Sequence, residues 1–467
     1  MESNRRNFLK LSGLAGIGLI SSHFSQANTS EISGKKKSGK SPVQHFNMSG
    51  YAAPKLDKVR IGFIGLGNRG PGAVDRMSHV EGVEIKGLCD ILPQRIDLIR
   101  KKLAGSIHSP VTYSGEEDAW KQLCERDDID LIYIATPWNL HTTMAVYAMN
   151  HGKHVCTEVP AATTLEECWN LVEASERNKK HCMMLENCCY DFFELLTLNM
   201  ARQGFFGEII HGEGAYIHDL LEGNFSTTKY YKQWRLKENF RNGNLYPTHG
   251  LGPICQVMDI NRGDQMDYLV SVSSNDFMMA QTAKKLAAED DFYKELATKS
   301  YRGNMNTTTI KTMKGRTILL QHDVSSPRPY SRLHMVSGTK AQASKYPEPA
   351  RISNGHEWFS AEEMKKLEQT YAPPIITRIG ELAKKVGGHG GMDFMMDWRT
   401  IDCLRNGLPL DQDVYDAALW SSIAPLSEKS VANRSQSIDV PDFTCGAWKK
   451  NQPVDISLKD GGTTQVI

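Results

Sequence analysis

The sequence predicts an α/β protein in two parts: a doubly wound parallel sheet, followed by an α+β domain with an open, mainly antiparallel sheet. Three observations lead there. Strand-like and helix-like stretches alternate from Val59 to Asn187. A glycine-rich turn, Gly65-Leu66-Gly67-Asn68-Arg69-Gly70, links the first strand to the first helix. Beyond Asn187, strand-like runs succeed one another with short turns and no helical pattern between them.

The chain opens with Asn4-Arg5-Arg6-Asn7-Phe8-Leu9-Lys10 and then the apolar run LSGLAGIGLI. A charged start, a short apolar stretch and small residues after it compose a secretory signal. The run is too short to span a bilayer, so no stable membrane insertion is expected. The paired arginines resemble a twin-arginine signal, read by a receptor, with Asn4 where Ser or Thr is usual. Ser25 and Ala27 fit a small-x-small cleavage site. Residues 1–27 are therefore expected to be a signal peptide directing export to the periplasm, and the Ser-, Lys- and Gly-rich residues 28–57 a linker.

Residues 58–187 read as a dinucleotide-binding (Rossmann) domain. Val59 to Ile64 is a β-rich run that enters the G-x-G-x-x-G turn; a helix follows, then a strand from Val83 to Leu88 ending at Asp90. Glycines alone are a weak signal, but strand, glycine turn, helix, strand and acid together form the full fingerprint. Gly65 permits the tight turn, Gly67 lets the backbone approach a pyrophosphate, and Gly70 allows close helix–strand packing. The helix N-terminus offers amide donors to phosphates. Asp90 is placed to accept from ribose hydroxyls and would repel a 2′-phosphate, which favours NAD over NADP. Further strands end in Thr136-Pro137-Trp138-Asn139-Leu140-His141, in Glu158-Val159-Pro160 and in Glu186-Asn187. Ligands of open α/β sheets bind at the carboxyl ends of strands, so Trp138, His141, Glu158 and Asn187 converge on one crevice.

Residues 188–467 read as a substrate and oligomerisation domain with C-terminal helices and a tail. Strands are expected over Glu208–His218, Tyr268–Asn275, Asn306–Thr312, Arg316–Val324 and Leu333–Ser337, and a helix near 393–406. One face of such a sheet can cover the nucleotide site and the other can serve a homo-oligomer.

The 467 residues are 40% hydrophobic and 23% charged, with a formal net charge of +1. That balance supplies no field for nucleic acid, and no zinc-finger or RNA-binding pattern is present. The ten cysteines include no C-x-x-C pair and lie mostly in apolar runs, where a thiol packs as a small hydrophobe; the adjacent Cys188 and Cys189 read as structural too. His151 and His154 lack a third ligand nearby, so no metal is expected.

The motifs GLGNRG, TPWNLH, EVPAATT and NCCYD resemble the glucose–fructose oxidoreductase and inositol dehydrogenase (Gfo/Idh/MocA) superfamily. NLYPTHGLGP and GGHGGMDFMMDWR are similar to the NAD-dependent α-N-acetylgalactosaminidases of glycoside hydrolase family 109. The resemblance covers nearly everything after the linker. It implies that Asn68, Arg69, Asp90, Trp138, Asn139, Leu140, His141, Glu158, Val159 and Asn187 contact NAD, together with Gly65, Gly67 and Gly70 of the fingerprint. It implies that Tyr216, Arg235, Tyr246, His249 and Tyr330 contact a sugar, with Tyr246 and His249 catalytic. The superfamily ordinarily has Lys where this chain has Val159, and that lysine usually handles the substrate proton in dehydrogenases; the glycosidase family shares the valine.

Tyr and His carry protons well when a site tunes them, Arg offers a rigid fork of donors to hydroxyl or acetamido oxygens, and His389 in its glycine-rich loop is within plausible reach of the site. Most glycosidases rely on two carboxylates; NAD-dependent ones do not. Their implied route oxidises the sugar at C3, removes the acidified C2 proton, expels the C1 substituent, adds water and reduces C3 again. An exported enzyme has no free nicotinamide pool, which suits a cycle that returns its own NAD. Two other readings stay open: a sugar oxidoreductase with tightly held nucleotide that requires a second sugar, and a noncatalytic sugar-binding protein on the same scaffold.

Overall fold

The structure, a computed structural model, describes residues 43–467, which form one compact unit. The expected signal peptide and the first half of the expected linker lie outside the described residues. Residues 43–57 are not linker-like: Met48 and Ala53 are buried, the Met48 amide donates to the Tyr415 hydroxyl at 3.1 Å, and the His45 amide donates to Glu176 at 2.7 Å. Composition suggested a spacer, but a few apolar anchors in a polar segment suffice to lay it down on the body.

The first sheet is six parallel strands: β1 (Val59–Ile64), β2 (Val83–Cys89), β3 (Val111–Tyr113), β4 (Leu131–Ile134), β5 (His154–Thr157) and β6 (Cys182–Met184). Their order is β3-β2-β1-β4-β5-β6. β4 and β5 are buried throughout and β1 at all but Arg60, as a parallel sheet covered by helices on both faces requires. The order in which strands are added reverses between β1 and β4, and that switch opens the crevice where ligands settle.

The second sheet has eight strands: β7 (Ile209–Ile217), β8 (Met266–Ser273), β9 (Asn306–Thr312), β10 (Thr317–Asp323), β11 (Ser331–Gly338), β12 (Gln342–Ser344), β13 (Arg351–Ser353) and β14 (Ile438–Asp439). Their order is β13-β12-β11-β7-β10-β9-β8-β14. All neighbours are antiparallel except β7 and β10, which run parallel. The expectation that no helix interrupts this part is corrected. Helices span Trp234–Glu238 and Thr248–Val257 between β7 and β8, and Met279–Glu289 between β8 and β9. Thr248–Val257 contains Gly250, Gly252 and Pro253, poor helix formers; tertiary burial of nearly the whole segment overrides propensity.

Two long helices bind the sheets together. Val414–Ala432 packs on β8, on β6 and on the helix Leu165–Asn178; Met392–Asn406 packs on the helix Gly70–Ser78. No helix among the described residues is long and apolar enough to cross a membrane.

Candidate active site

The crevice is a cleft of about 720 Å³ running from Asp90 at one end to His249 at the other. Gly65 adopts φ +92°, and a Cβ there would stand 2.5 Å from the Ala135 carbonyl oxygen. A Cβ on Gly70 would stand 2.0 Å from the Gly65 oxygen. These contacts show that the turn curls tightly under the helix Gly70–Ser78 and leaves backbone, not side chain, facing the cleft. Asp90 accepts from the Leu66 amide at 2.6 Å and the Leu92 amide at 2.9 Å, with Arg95 beside it at 3.4 Å. An ionised carboxylate has about four acceptor positions, and the two amides with Arg95 leave room for a ribose hydroxyl. Glu116, Glu117 and Asp118 line the same end. The cradle and the donor set fit a dinucleotide.

The middle of the cleft is built by charge. Arg69 donates to Glu158 at 3.1 Å and to Asp393 at 3.1 Å, and lies 3.2 Å from His389 Nδ1. Asn187 also donates to Asp393. Asp393 thus joins the first strand–helix turn, the end of β6 and the GGHGG loop. Burial alone would push it up, but hydrogen bonding from His389 and the charges of Arg69 and Arg76 hold it below the usual carboxylate range. His389 itself stands at the rim, its side chain 57% exposed.

His141 departs from expectation. It borders the cleft, but Nδ1 lies 2.7 Å from the Pro160 carbonyl and Nε2 2.8 Å from the Thr136 carbonyl. Both nitrogens face backbone carbonyls, so His141 braces two strand ends and turns neither ring nitrogen to a ligand. Asn68 is likewise engaged, donating to the Lys229 carbonyl at 3.0 Å.

The far end is aromatic. Tyr246 stacks on Trp138 at 5.4 Å, lies 4.6 Å from Tyr216 and meets the His249 ring edge-on at 4.9 Å. The Arg235 guanidinium, half-buried, sits 5.4–5.6 Å from the rings of Trp138, Tyr230 and Tyr246. No carboxylate pairs with it among the described residues; tyrosine rings and hydroxyls are its company. Tyr216 shares a 2.9 Å hydrogen bond with His218. Burial and Tyr216 hold the Tyr246 phenol well above its ordinary range, with Arg235 pulling the other way. Tyr330 lies outside the lining: it is 38% exposed and stands 6.3 Å from Tyr216.

Sequence reading missed Glu186. It lies two residues past β6, is fully buried, and stands 2.7 Å from His249 Nδ1. The only signal was its place at a strand end. With Cys188 these two bring ligand-capable atoms within 4.8 Å of one another, but Glu186 and His249 already satisfy each other, and no metal is assigned.

A two-sheet body with a dinucleotide cradle at its switch point defines the class: a Rossmann-type NAD-binding protein. Residues 59–186 match the family described as "Oxidoreductase family, NAD-binding Rossmann fold", and residues 190–450 match "Glycosyl hydrolase 109, C-terminal domain". Glycosyl hydrolase family 109 protein 1 of Bacteroides fragilis is 49% identical over 88% of this chain and 90% of its own length. A family 109 protein of Shewanella pealeana is 45% identical over 98% of this chain and 99% of its own. The chain belongs to glycosyl hydrolase family 109, whose members are NAD-using glycoside hydrolases. Levoglucosan dehydrogenase in complex with NADH shares the fold, with a TM-score of 0.62 at 16% identity over 82% of this chain and all of the other. So does scyllo-inositol dehydrogenase of Lactobacillus casei with NAD(H) and scyllo-inositol, at 0.57 and 12% identity over 82% of this chain and 99% of the other.

Proposed function

We propose that this protein is an exported glycosidase that releases terminal α-linked N-acetylgalactosamine by a redox-neutral cycle with NAD. One observation carries the reading. The two acids nearest the aromatic end are committed, Glu158 to Arg69 and Glu186 to His249, and position 159 is valine. Glu116, Glu117 and Asp118 line the opposite, Asp90 end, so the aromatic end offers neither the paired free carboxylates of most glycosidases nor the lysine of sugar dehydrogenases, and acid–base work there falls to Tyr246 and His249.

The glycine turn, Asp90, Glu158 and Asn187 would hold the nucleotide across the switch point. NAD, when bound, supplies reversible hydride acceptance at the sugar C3, which makes the C2 hydrogen acidic. His249 then removes the C2 proton: its Nδ1 is engaged, leaving Nε2 for the cleft. Tyr246, whose surroundings disfavour the phenolate, keeps its proton and donates a hydrogen bond to the sugar. Arg235 has no acid to neutralise it and presents its fork to hydroxyl or acetamido oxygens. Tyr216 closes the site beside Tyr246, and Tyr330 acts from the rim. The twin-arginine-like start supports export with the nucleotide already in place.

The test is turnover of a chromogenic α-N-acetylgalactosaminide in deuterated water, with no added cofactor. The released sugar should carry deuterium at C2, and a substrate deuterated at C3 should keep its label. Absence of both C2 exchange and any isotope effect at C2 or C3 would overturn the cycle. Strict dependence on a second sugar would instead establish an oxidoreductase.

A further inference from the structure

The buried acid behind His249 has no place in the reading above beyond occupying one ring nitrogen. Glu186 lies just past β6 and against the helix Thr248–Val257. A Cβ on Gly252 would come within 2.9 Å of Glu186 Cγ, so the helix lies directly against the acid. Gln412 fixes the Glu186 backbone by donating to its carbonyl at 3.0 Å. Within the carboxylate, Oε1 accepts from the Cys188 amide at 3.1 Å and from His249 at 2.7 Å, while Oε2 lacks a hydrogen bond of good geometry and has the Thr248 hydroxyl beside it.

A buried carboxylate with half its acceptors unused is costly in a site that only needed filling. Burial pushes Glu186 up, but His249, the Thr248 hydroxyl and the Cys188 amide hold it below the ordinary carboxylate range. The other groups facing His249 are Tyr246 at 4.9 Å, Tyr216 at 5.4 Å and His218, with Cys188 beside the acid. None of them is anionic: burial raises both phenols and the thiol.

We propose that Glu186 is the positioning residue of this site, holding the imidazole with Nδ1–H toward its own carboxylate and Nε2 toward the cleft, and stabilising the imidazolium that forms when Nε2 accepts the substrate proton. This rests on His249 being the base. The carboxylate fixes the tautomer, since an anion can only accept, and it supplies the countercharge at the moment the ring becomes positive. Removing the charge while keeping the shape leaves a ring that is held but no longer favoured in its protonated form.

The experiment uses the full chain with its NAD in two variants, Glu186→Gln and Glu186→Asp. The His249 midpoint is read by NMR titration of the histidine Cε1–H signals, assigned by the signal missing in His249→Ala. An opposite charge at this range moves a midpoint by about one to three units. In Glu186→Gln the His249 midpoint should fall by at least about one unit, the acidic limb of kcat/KM should move with it, and kcat should fall at least about tenfold. KM should stay within threefold and NAD content should be unchanged. Glu186→Asp keeps the charge and should recover part of the turnover and of the midpoint. A wild-type midpoint in Glu186→Gln, or equal turnover losses in the Gln and Asp variants, would overturn the assignment. Undiminished turnover in His249→Ala would remove the base on which the inference rests; the NMR midpoint, which needs no turnover, tells that failure from the other.

Discussion

His249 is useful because of the three groups around it. Glu186 takes one nitrogen, Tyr246 walls one side, and Tyr216 lies 5.4 Å away. General acid–base groups contribute about a hundredfold to ten-thousandfold. Steady-state kinetics of His249→Ala should show a loss of that size, with NAD still released on denaturation in equal amount. Tyr246→Phe should lose less than His249→Ala, because it forfeits a hydrogen bond rather than the base; the reverse order would exchange their roles. Arg235→Met keeps volume and removes the charge. A hydrogen bond to a charged group contributes about 1.5–3 kcal/mol, so KM should rise by about tenfold or more. An unchanged KM would return Arg235 to packing among its three rings.

At the scale of elements, the site depends on a helix brought unusually close to a strand. A Cβ on Gly214 in β7 would stand 2.3 Å from the Gly250 oxygen, and one on Gly250 would stand 2.2 Å from the Ala215 amide. The helix carrying His249 therefore rests backbone to backbone on the strand carrying Tyr216. Gly250→Ala forces them apart. Overpacking of this kind costs about 1–3 kcal/mol, read as a lower Tm, and the lost register should reduce kcat beyond what the lost stability accounts for. A variant with wild-type kcat would show that the spacing is not critical. In the first domain the corresponding element is the glycine turn. Gly65→Ala meets both a left-handed φ and the Ala135 carbonyl, so the purified variant should hold less NAD than the wild type. The β1–glycine turn–helix unit was legible because each step has a local cause. The Thr248–Val257 helix was not, because its glycines read as loop until β7 is placed beneath them.

Across the whole molecule, burial sets the response to acid. Burial pushes His181 down to about 4, helped by Lys180, and His334 down to about 3, helped by Lys345 and Arg332. The unfolded chain protonates both near 6.5. Below that pH the unfolded state binds protons the folded state refuses, so stability is complete above about 6.5 and is lost as pH falls toward 4. For His181 alone the difference amounts to about 3 kcal/mol. Asp397, pushed up to about 6 by burial, acts in the opposite sense over part of that window. Thermal unfolding should show Tm falling from pH 7 to 4.5 and a shallower slope in His181→Phe; an equal slope would shift the effect to His334 and His154. The outer face of the second sheet leaves Val270, Val272, Leu319 and Met335 partly or fully exposed. We propose that this face pairs with a second copy. Val272→Glu with Met335→Glu should then shift the sedimenting species to half its mass, and a wild-type monomer would overturn the pairing.

By itself the sequence determined what has a local cause: the glycine turn with its acid, the apolar parallel strands, the alternating strands of the second sheet, and the motifs that mark the family. It also marked Tyr246 and His249, which lie three positions apart on one short segment. What it left to the tertiary structure is whatever depends on groups distant in the chain. His141 looks like a ligand residue until the Thr136 and Pro160 carbonyls close on both nitrogens. Residues 43–57 look like a spacer until Tyr415 and Glu176 receive them. Glu186 looks like any strand end until a helix 63 residues away brings His249 to it. Local conformational preference acts over a few residues and is written in the order of the chain. Hydrogen-bond satisfaction and desolvation act through space, and only the folded body decides which polar atoms remain free to do chemistry.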